Sequence, residues 1–284
     1  MMRKILAAYL LLVASFVQAA GSGTGCETTP PTPEAYSKAI QLGYQTQLKL
    51  EQLHAQNGDT VVLISRAGSN TPDKRFNNRV GEFWRYTHAG LAFRDHPNGQ
   101  WSVVHLLNTC NESSDIFVQG LMRFSLDKPV MYSNAIGLLH PLLQVRLNEV
   151  VLQSQLSKAM HEGDDQYSSI SSPYNLIYQN SNEYILTLLG AAIAPAEQQP
   201  MNADQSKQFF LTSGMHKAFT PEIVKVGFLE RVGKAVGVGP GNARLDDHTK
   251  KERRKGPFEM VSAGSLYDML AKMGLLTDSF EIAL

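Results

Sequence analysis

Two short strand-like segments joined by a tight-turn signal constrain this chain more than any other feature of its sequence. Residues 86–94 read YTHAGLAFR and residues 101–107 read WSVVHLL, and both have the alternation or β-branched content that is typical of strands. The HPNG sequence between them contains an Asn-Gly pair, which favours a hairpin turn. The pattern therefore predicts neighbouring antiparallel strands that carry His88 and His105.

The segments on either side of this hairpin predict an α+β fold, in which an antiparallel sheet packs against helices. Residues 33–54 have an amphipathic pattern that begins with Thr-Pro-Glu, and residues 180–194 have an apolar stripe that begins with a capping box of Asn180 and Glu183. Further strands are predicted at 60–66, 135–140, 225–232 and 258–262, further helices at 115–124, 141–161 and 265–276, and loops at 67–79 and 162–173.

The beginning of the chain indicates export. A positively charged start is followed by an apolar run at 5–17 and by small residues at the positions that a signal peptidase reads. We expect residues 1–19 to be a signal peptide and residues 20–284 to form one exported domain, in the periplasm, with no transmembrane segment after cleavage. An uncleaved N-terminal anchor and a lipoprotein attached through Cys26 are the alternatives.

The two cysteines of the chain, Cys26 and Cys110, fit an exported protein. In an oxidising compartment they are expected to form one disulfide, which would attach the Gly- and Pro-rich N-terminal segment to the body. Because the loop it closes is long, the chain-entropy model gives such a bond about 4 kcal/mol. The alternative is two separate thiols.

Composition and motif spacing exclude several function classes. The chain has 26 Lys and Arg against 26 Asp and Glu, so it lacks the basic excess of a nucleic-acid-binding protein. Its eight histidines are scattered without ligand spacing, and we expect no metal and no cofactor. The Gly-rich residues 237–241 lack the Lys of a phosphate-binding loop, and the basic run at 250–255 is typical of a solvated surface.

Three residues form the candidate catalytic set. A nucleophilic hydrolase needs a hydroxyl or thiol, a base within hydrogen-bond reach, and a group that orients the base. Ser181 lies at the start of a predicted helix, where free amides and the helix dipole favour negative charge, and His88 and His105 lie on adjacent predicted strands. The alternative is purely structural, with Ser181 or Asn180 as a helix cap and the histidines as ordinary strand residues.

Three sequence blocks, YTHAGLAFR at 86–94, VVHLLNTC at 103–110 and YQNSNEY at 178–184, resemble an uncharacterised family of exported bacterial proteins, a domain of unknown function. That family is in turn similar, more distantly, to the circularly permuted papain-like (NlpC-type) hydrolases and to the lecithin-retinol acyltransferase-like group. The resemblance places His88 as the strand histidine and His105 as the polar residue of the next strand. Ser181, or Asn180, stands where those enzymes have a helix-heading cysteine.

The resemblance implies an exported hydrolase or acyltransferase that acts on an amide or ester bond of a peptide, glycan or lipid in the cell envelope. His88 would be the base, His105 its orienter and Ser181 the nucleophile or its relic, with Asn180 and Asn182 contacting the substrate. A serine is a poorer nucleophile than a thiolate and needs full general-base help. The competing hypothesis is a non-catalytic envelope protein that binds a peptide or glycan in the same cleft.

Overall fold

A computed structural model describes residues 30–67, 76–78, 80–110, 113–126, 131–153, 156–161, 166–225 and 243–284. The predicted signal peptide at 1–19, Cys26 and the Gly-rich residues 237–241 lie outside these ranges, as does nearly all of the predicted strand at 225–232. The side chain of Cys110 is not described either. Export and the disulfide therefore stay predictions.

The first helix, α1, spans Pro33–Asn57 and confirms the amphipathic helix expected in this region. The Thr32 hydroxyl accepts a hydrogen bond from the Ala35 N–H at 3.2 Å, and proline fills the first turn, where its missing N–H costs nothing. The helix ends at Gly58, which adopts the left-handed conformation with φ of 79°.

A six-stranded antiparallel sheet forms the centre of the fold and confirms the α+β class. Its strands are β1 Val61–Arg66, β3 His88–Phe93, β4 Ser102–Cys110, β5 Ser113–Gln119, β6 Ser133–Leu139 and β9 Leu276–Ala283. Their spatial order is β5-β4-β3-β1-β6-β9, and the predicted hairpin is present as β3 and β4, with Leu91 opposite Val104 and Phe93 opposite Ser102. A smaller three-stranded sheet contains β2 Phe76–Asn78, β7 Glu222–Val224 and β8 Phe258–Met260.

Both faces of the large sheet are covered, which explains why every residue of β1 is buried. Successive strand residues point to opposite faces. Val61 and Leu63 pack in the core that contains the helix after residue 180, whereas Val62 and Ile64 pack in the core that contains Leu50 of α1. The sheet is therefore the middle of three layers.

The helix at Ser181–Ile193, here α5, confirms the strongest helical prediction and packs on β3 and β4. Within the described ranges, no helix is long and apolar enough to cross a membrane. The other helices are α2 Leu121–Ser125, α3 Pro141–Asn148, α4 Leu156–Ala159, α6 Ala203–Thr212, α7 Gly214–Ala218, α8 Lys250–Lys255 and α9 Ala263–Lys272.

One helix prediction was wrong. The segment 115–124 is not a helix, because residues 113–119 form β5, which pairs with residues 103–110 of β4, and only Leu121–Ser125 is helical. In this segment, pairing with another strand overrides local propensity. The helix expected at 141–161 is present as α3, a π-helical stretch at Glu149–Gln153, and α4.

Candidate functional site

The structure brings the three predicted catalytic side chains together. His88 begins β3, His105 lies on β4, and Ser181 is the first residue of α5. The His88 Nδ1 atom lies 3.2 Å from the Ser181 hydroxyl oxygen, and its Nε2 atom lies 2.8 Å from Nδ1 of His105. The three side chains thus form a continuous hydrogen-bonded row, Ser181–His88–His105.

Gly90 allows β3 and β4 to approach closely beside the two histidines. A Cβ atom at Gly90 would lie 2.5 Å from Cγ1 of Val103 and 3.3 Å from Cβ of His105. The first distance is shorter than real side chains allow, so a larger residue would force Val103 or the strand that carries it to move.

The geometry of the row fixes the tautomer that catalysis would need. If His88 accepts the Ser181 proton at Nδ1, its own proton is on Nε2 and is donated to Nδ1 of His105. His105 then carries its proton on Nε2, a buried atom that has no hydrogen-bond partner among the described residues. His105 can therefore orient the His88 ring, but as a neutral group it cannot offset a positive charge there.

Burial and a neighbouring cation keep both imidazoles neutral. Burial lowers the pKa of His88 and of His105 well below the ordinary value, and the positive charge of Arg66 lowers both further. Arg66 lies at the end of β1 opposite His88, and its guanidinium group is 5.2 Å from the centre of the Phe124 ring. The Phe124 ring also packs against both histidines.

Ser181 has the surroundings of a group that could carry developing negative charge. It heads a thirteen-residue helix, and its backbone N–H makes no hydrogen bond within the described residues. Burial raises the pKa of the Tyr167 phenol to about 12, and the adjacent Ser181 hydroxyl opposes this shift. Ser181 and His88 each keep 8% of their surface exposed, whereas His105 is fully buried.

The two asparagines that flank Ser181 are engaged with the protein itself. The Oδ1 atom of Asn180 accepts hydrogen bonds from the N–H groups of Asn182 and Glu183, each at 2.9 Å. The side chain of Asn182 contacts the backbone on both sides of His88, at Thr87 and Ala89. Their expected contact with a substrate stays a prediction.

A buried ion pair holds the start of α5 in place. Glu183, the acidic member of the capping box, lies 2.8 Å from the ammonium group of Lys207 on α6, and both side chains are almost fully buried. Lys207 also donates to the backbone carbonyls of Asn175 and Tyr178, at 3.1 and 2.8 Å, while Ser171 donates to the second carboxylate oxygen of Glu183. The loop that leads into Ser181 is thereby tied to α6.

No sequence pattern indicated that Arg66, Tyr167 or Lys207 would lie at this site. Arg66 ends a predicted strand, and Lys207 lies in a helix that the sequence did not reveal. Within the described residues, no group of three or more His, Cys, Asp or Glu side chains is arranged to hold a metal ion.

Fold and site together define an α+β protein in which a serine at a helix start faces a pair of histidines on an antiparallel sheet. Residues 52–270, which include all three of these side chains, match the family described as uncharacterized protein conserved in bacteria (DUF2145), and the chain belongs to that family. Membership of an uncharacterised bacterial family is thus confirmed. No curated protein and no solved structure matched the chain.

Proposed function

We propose that this protein is an acyl-transferring enzyme, a hydrolase or acyltransferase, that attacks an amide or ester bond with Ser181. The observation that carries the proposal is the row in which His88 contacts the Ser181 hydroxyl at 3.2 Å and His105 at 2.8 Å. A nucleophile, a base and an orienting group are the three parts that such chemistry requires.

In the proposed reaction, the Ser181 oxygen attacks the acyl carbon while its proton moves to Nδ1 of His88. The N–H of Ser181, which has no hydrogen-bond partner among the described residues and lies at the positive end of α5, stabilises the oxyanion that forms. His88 then donates the proton to the leaving amine or alcohol, which leaves an acyl ester on Ser181. Water or a second acceptor, deprotonated by His88, then attacks this ester, and His88 returns the proton to the Ser181 oxygen as the acyl group leaves on the acceptor.

The electrostatics of the site set an expected limit on the rate. Arg66 and burial keep His88 unprotonated at neutral pH, so the base is available. The same two factors disfavour the imidazolium that forms during each step, and neutral His105 does not offset them. We therefore expect slower turnover than in serine hydrolases whose histidine is oriented by a carboxylate.

The order of the three groups along the chain supports a relationship to the permuted papain-like enzymes. A strand histidine, a polar residue on the next strand and a nucleophile heading a helix occur in that order here as His88, His105 and Ser181. The predicted signal peptide suggests a substrate in the cell envelope, with a peptide, glycan or lipid acyl bond.

A fluorophosphonate probe, which reacts with activated serines, tests the proposal directly. Purified protein should be labelled at Ser181, as located by peptide mass spectrometry, and Ser181→Ala should abolish the label. His88→Ala should slow labelling by about 100-fold or more, since general-base help of this size is lost.

Ser114 provides a matched control, because its hydroxyl also contacts a histidine, His161, at 2.9 Å, but from a strand and not from a helix start. Ser114→Ala should be labelled like the wild type. Labelling that depends on Ser114 and not on Ser181 would overturn the assignment. An unlabelled wild type that also leaves a panel of amides and esters intact would favour the non-catalytic envelope protein.

A further inference from the structure

We propose that Asn182 is a positioning residue, whose side chain takes the place of a missing strand partner and holds His88 against Ser181. This inference rests on the proposed function, because it concerns the distance between the proposed base and nucleophile. Asn182 is the second residue of α5, directly after Ser181, and is nearly fully buried.

The need for such a partner arises where β3 and β4 separate. The β3–β4 ladder pairs Leu91–Phe93 with Ser102–Val104. On the opposite edge, β1 continues to pair with β3 as far as Ala89 and His88. The backbone around His88 is thus paired with β1 on one edge, while the pairing of β3 with β4 stops at Leu91.

Asn182 bonds to the backbone where this pairing stops. Its Oδ1 atom accepts a hydrogen bond from the Ala89 N–H at 2.9 Å, and its Nδ2 atom donates to the Thr87 carbonyl at 3.0 Å. One N–H and one C=O that flank a single residue are what a neighbouring strand would use. The primary amide, with one acceptor and one donor side by side, reproduces that pairing.

Continuity of the chain makes this contact relevant to the proposed chemistry. Asn182 and Ser181 are consecutive residues, and the atoms that Asn182 binds belong to the residues on either side of His88. The Asn180 cap and the Val261 carbonyl, to which Asn182 also donates at 3.4 Å, fix the Asn182 backbone and side chain in turn. The hydrogen bonds of Asn182 to Ala89 and Thr87 therefore set how far the His88 ring lies from the serine hydroxyl.

The test uses the ¹⁵N chemical shift of His88 Nδ1, which reports the hydrogen bond from Ser181 without requiring turnover. Wild-type protein, Asn182→Ala, Asn182→Asp and Ser181→Ala are compared, with Asn202→Ala, which removes the N-cap of α6, as a control for a lost asparagine hydrogen bond elsewhere. In Asn182→Ala the Nδ1 shift should move most of the way to its Ser181→Ala value, and exchange of the Ala89 amide hydrogen should accelerate at least tenfold. Asn202→Ala should change neither quantity.

Asn182→Asp distinguishes positioning from general stability and serves if Asn182→Ala does not fold. Its carboxylate keeps the acceptor for Ala89 but loses the donor to Thr87, so we expect an intermediate Nδ1 shift and slow Ala89 exchange. Fluorophosphonate labelling of Asn182→Ala should slow at least tenfold. If the Nδ1 shift of Asn182→Ala stays at the wild-type value, or labelling continues at the wild-type rate, the inference is wrong. A wild type that is not labelled contradicts only the proposed function, because the Nδ1 shift still tests the position of His88.

Discussion

The N-termini of α5 and α6 use the same capping box in opposite surroundings. In α5, Asn180 and Glu183 cap each other inside the protein, whereas in α6 Asn202 and Gln205 do so at the surface. The local hydrogen bonds are alike, because the first N–H groups of any helix need acceptors. The comparison shows that the local sequence builds the cap, while its surroundings determine whether the helix start can take part in chemistry.

The buried cap of α5 requires the desolvation of a carboxylate, which costs free energy, and the exposed cap of α6 does not. Glu183 brings a carboxylate into the interior, and the structure compensates it with Lys207, which α6 supplies. The neutral Gln205 needs no such partner. Helix α6, whose own cap is uncharged, thus provides the cation that offsets the buried charge in the cap of α5.

Removing this cation should have the largest effect on stability. Lys207→Met leaves Glu183 as a buried charge without its partner, and we expect the free energy of unfolding to fall by about 3–5 kcal/mol, measured by urea denaturation. Lys217→Met, at an exposed lysine on α7, should cost less than about 0.5 kcal/mol.

The double variant Lys207→Met with Glu183→Gln sharpens this test. It removes both charges and keeps an amide that can accept from the Asn180 N–H, so most of the lost stability should return. A Lys207→Met protein as stable as the wild type would show that the buried ion pair does not stabilise the start of α5.

The pH dependence of stability should be the next largest effect, and its main source is the pair of histidines beside the start of α5. The pKa values of His88 and His105 lie below those of the unfolded chain, so the unfolded chain takes up protons below about pH 6.5 and the folded protein does not. The contribution of these two histidines to the free energy of unfolding should therefore be complete above pH 6.5. It should fall as the pH decreases, by about 1.4 kcal/mol per pH unit for each histidine.

Asp247 works against this trend at lower pH. Burial raises the pKa of its carboxyl group to about 6, so the folded protein binds this proton more readily than the unfolded chain does. Its protonation stabilises the fold as the pH falls below 6, and Asp247→Asn should make the loss of stability steeper there. The measurement is urea unfolding between pH 5 and 7.5, and a slope that persists in His88→Gln/His105→Gln would contradict the assignment.

The sequence predicted those parts of the fold that local signals define. The Thr32 cap, the Asn-Gly turn and the apolar stripe after Asn180 each act within a few residues, and α1, the β3–β4 hairpin and α5 are all present. Strands β5 and β9 were missed, because half-exposed edge strands are selected by pairing with β4 and β6 and not by their own pattern.

The site was predictable only residue by residue. His88, His105 and Ser181 could be chosen from residue type and element position, but the 3.2 Å contact joins residues separated by 93 positions, and no spacing rule specifies it. Arg66 acts through the register of β1 against β3, which follows from the assembled sheet. Lys207 lies on α6 and reaches the loop before Ser181 only because α6 packs against α5.

The smallest expected effect compares the two caps directly. Asn180→Ala removes the acceptor for two buried N–H groups, at Asn182 and Glu183, and leaves them without a partner, so we expect a loss of about 2 kcal/mol in the free energy of unfolding. Asn202→Ala should cost about 1 kcal/mol or less, because water can replace the lost acceptor at the surface. Equal losses in the two variants would mean that burial adds nothing to the α5 cap, and that its hydrogen bonds are as replaceable as those of α6. A larger loss in Asn180→Ala, together with an altered His88 Nδ1 shift in that variant alone, would tie the cap of α5 to the geometry of the serine that follows it.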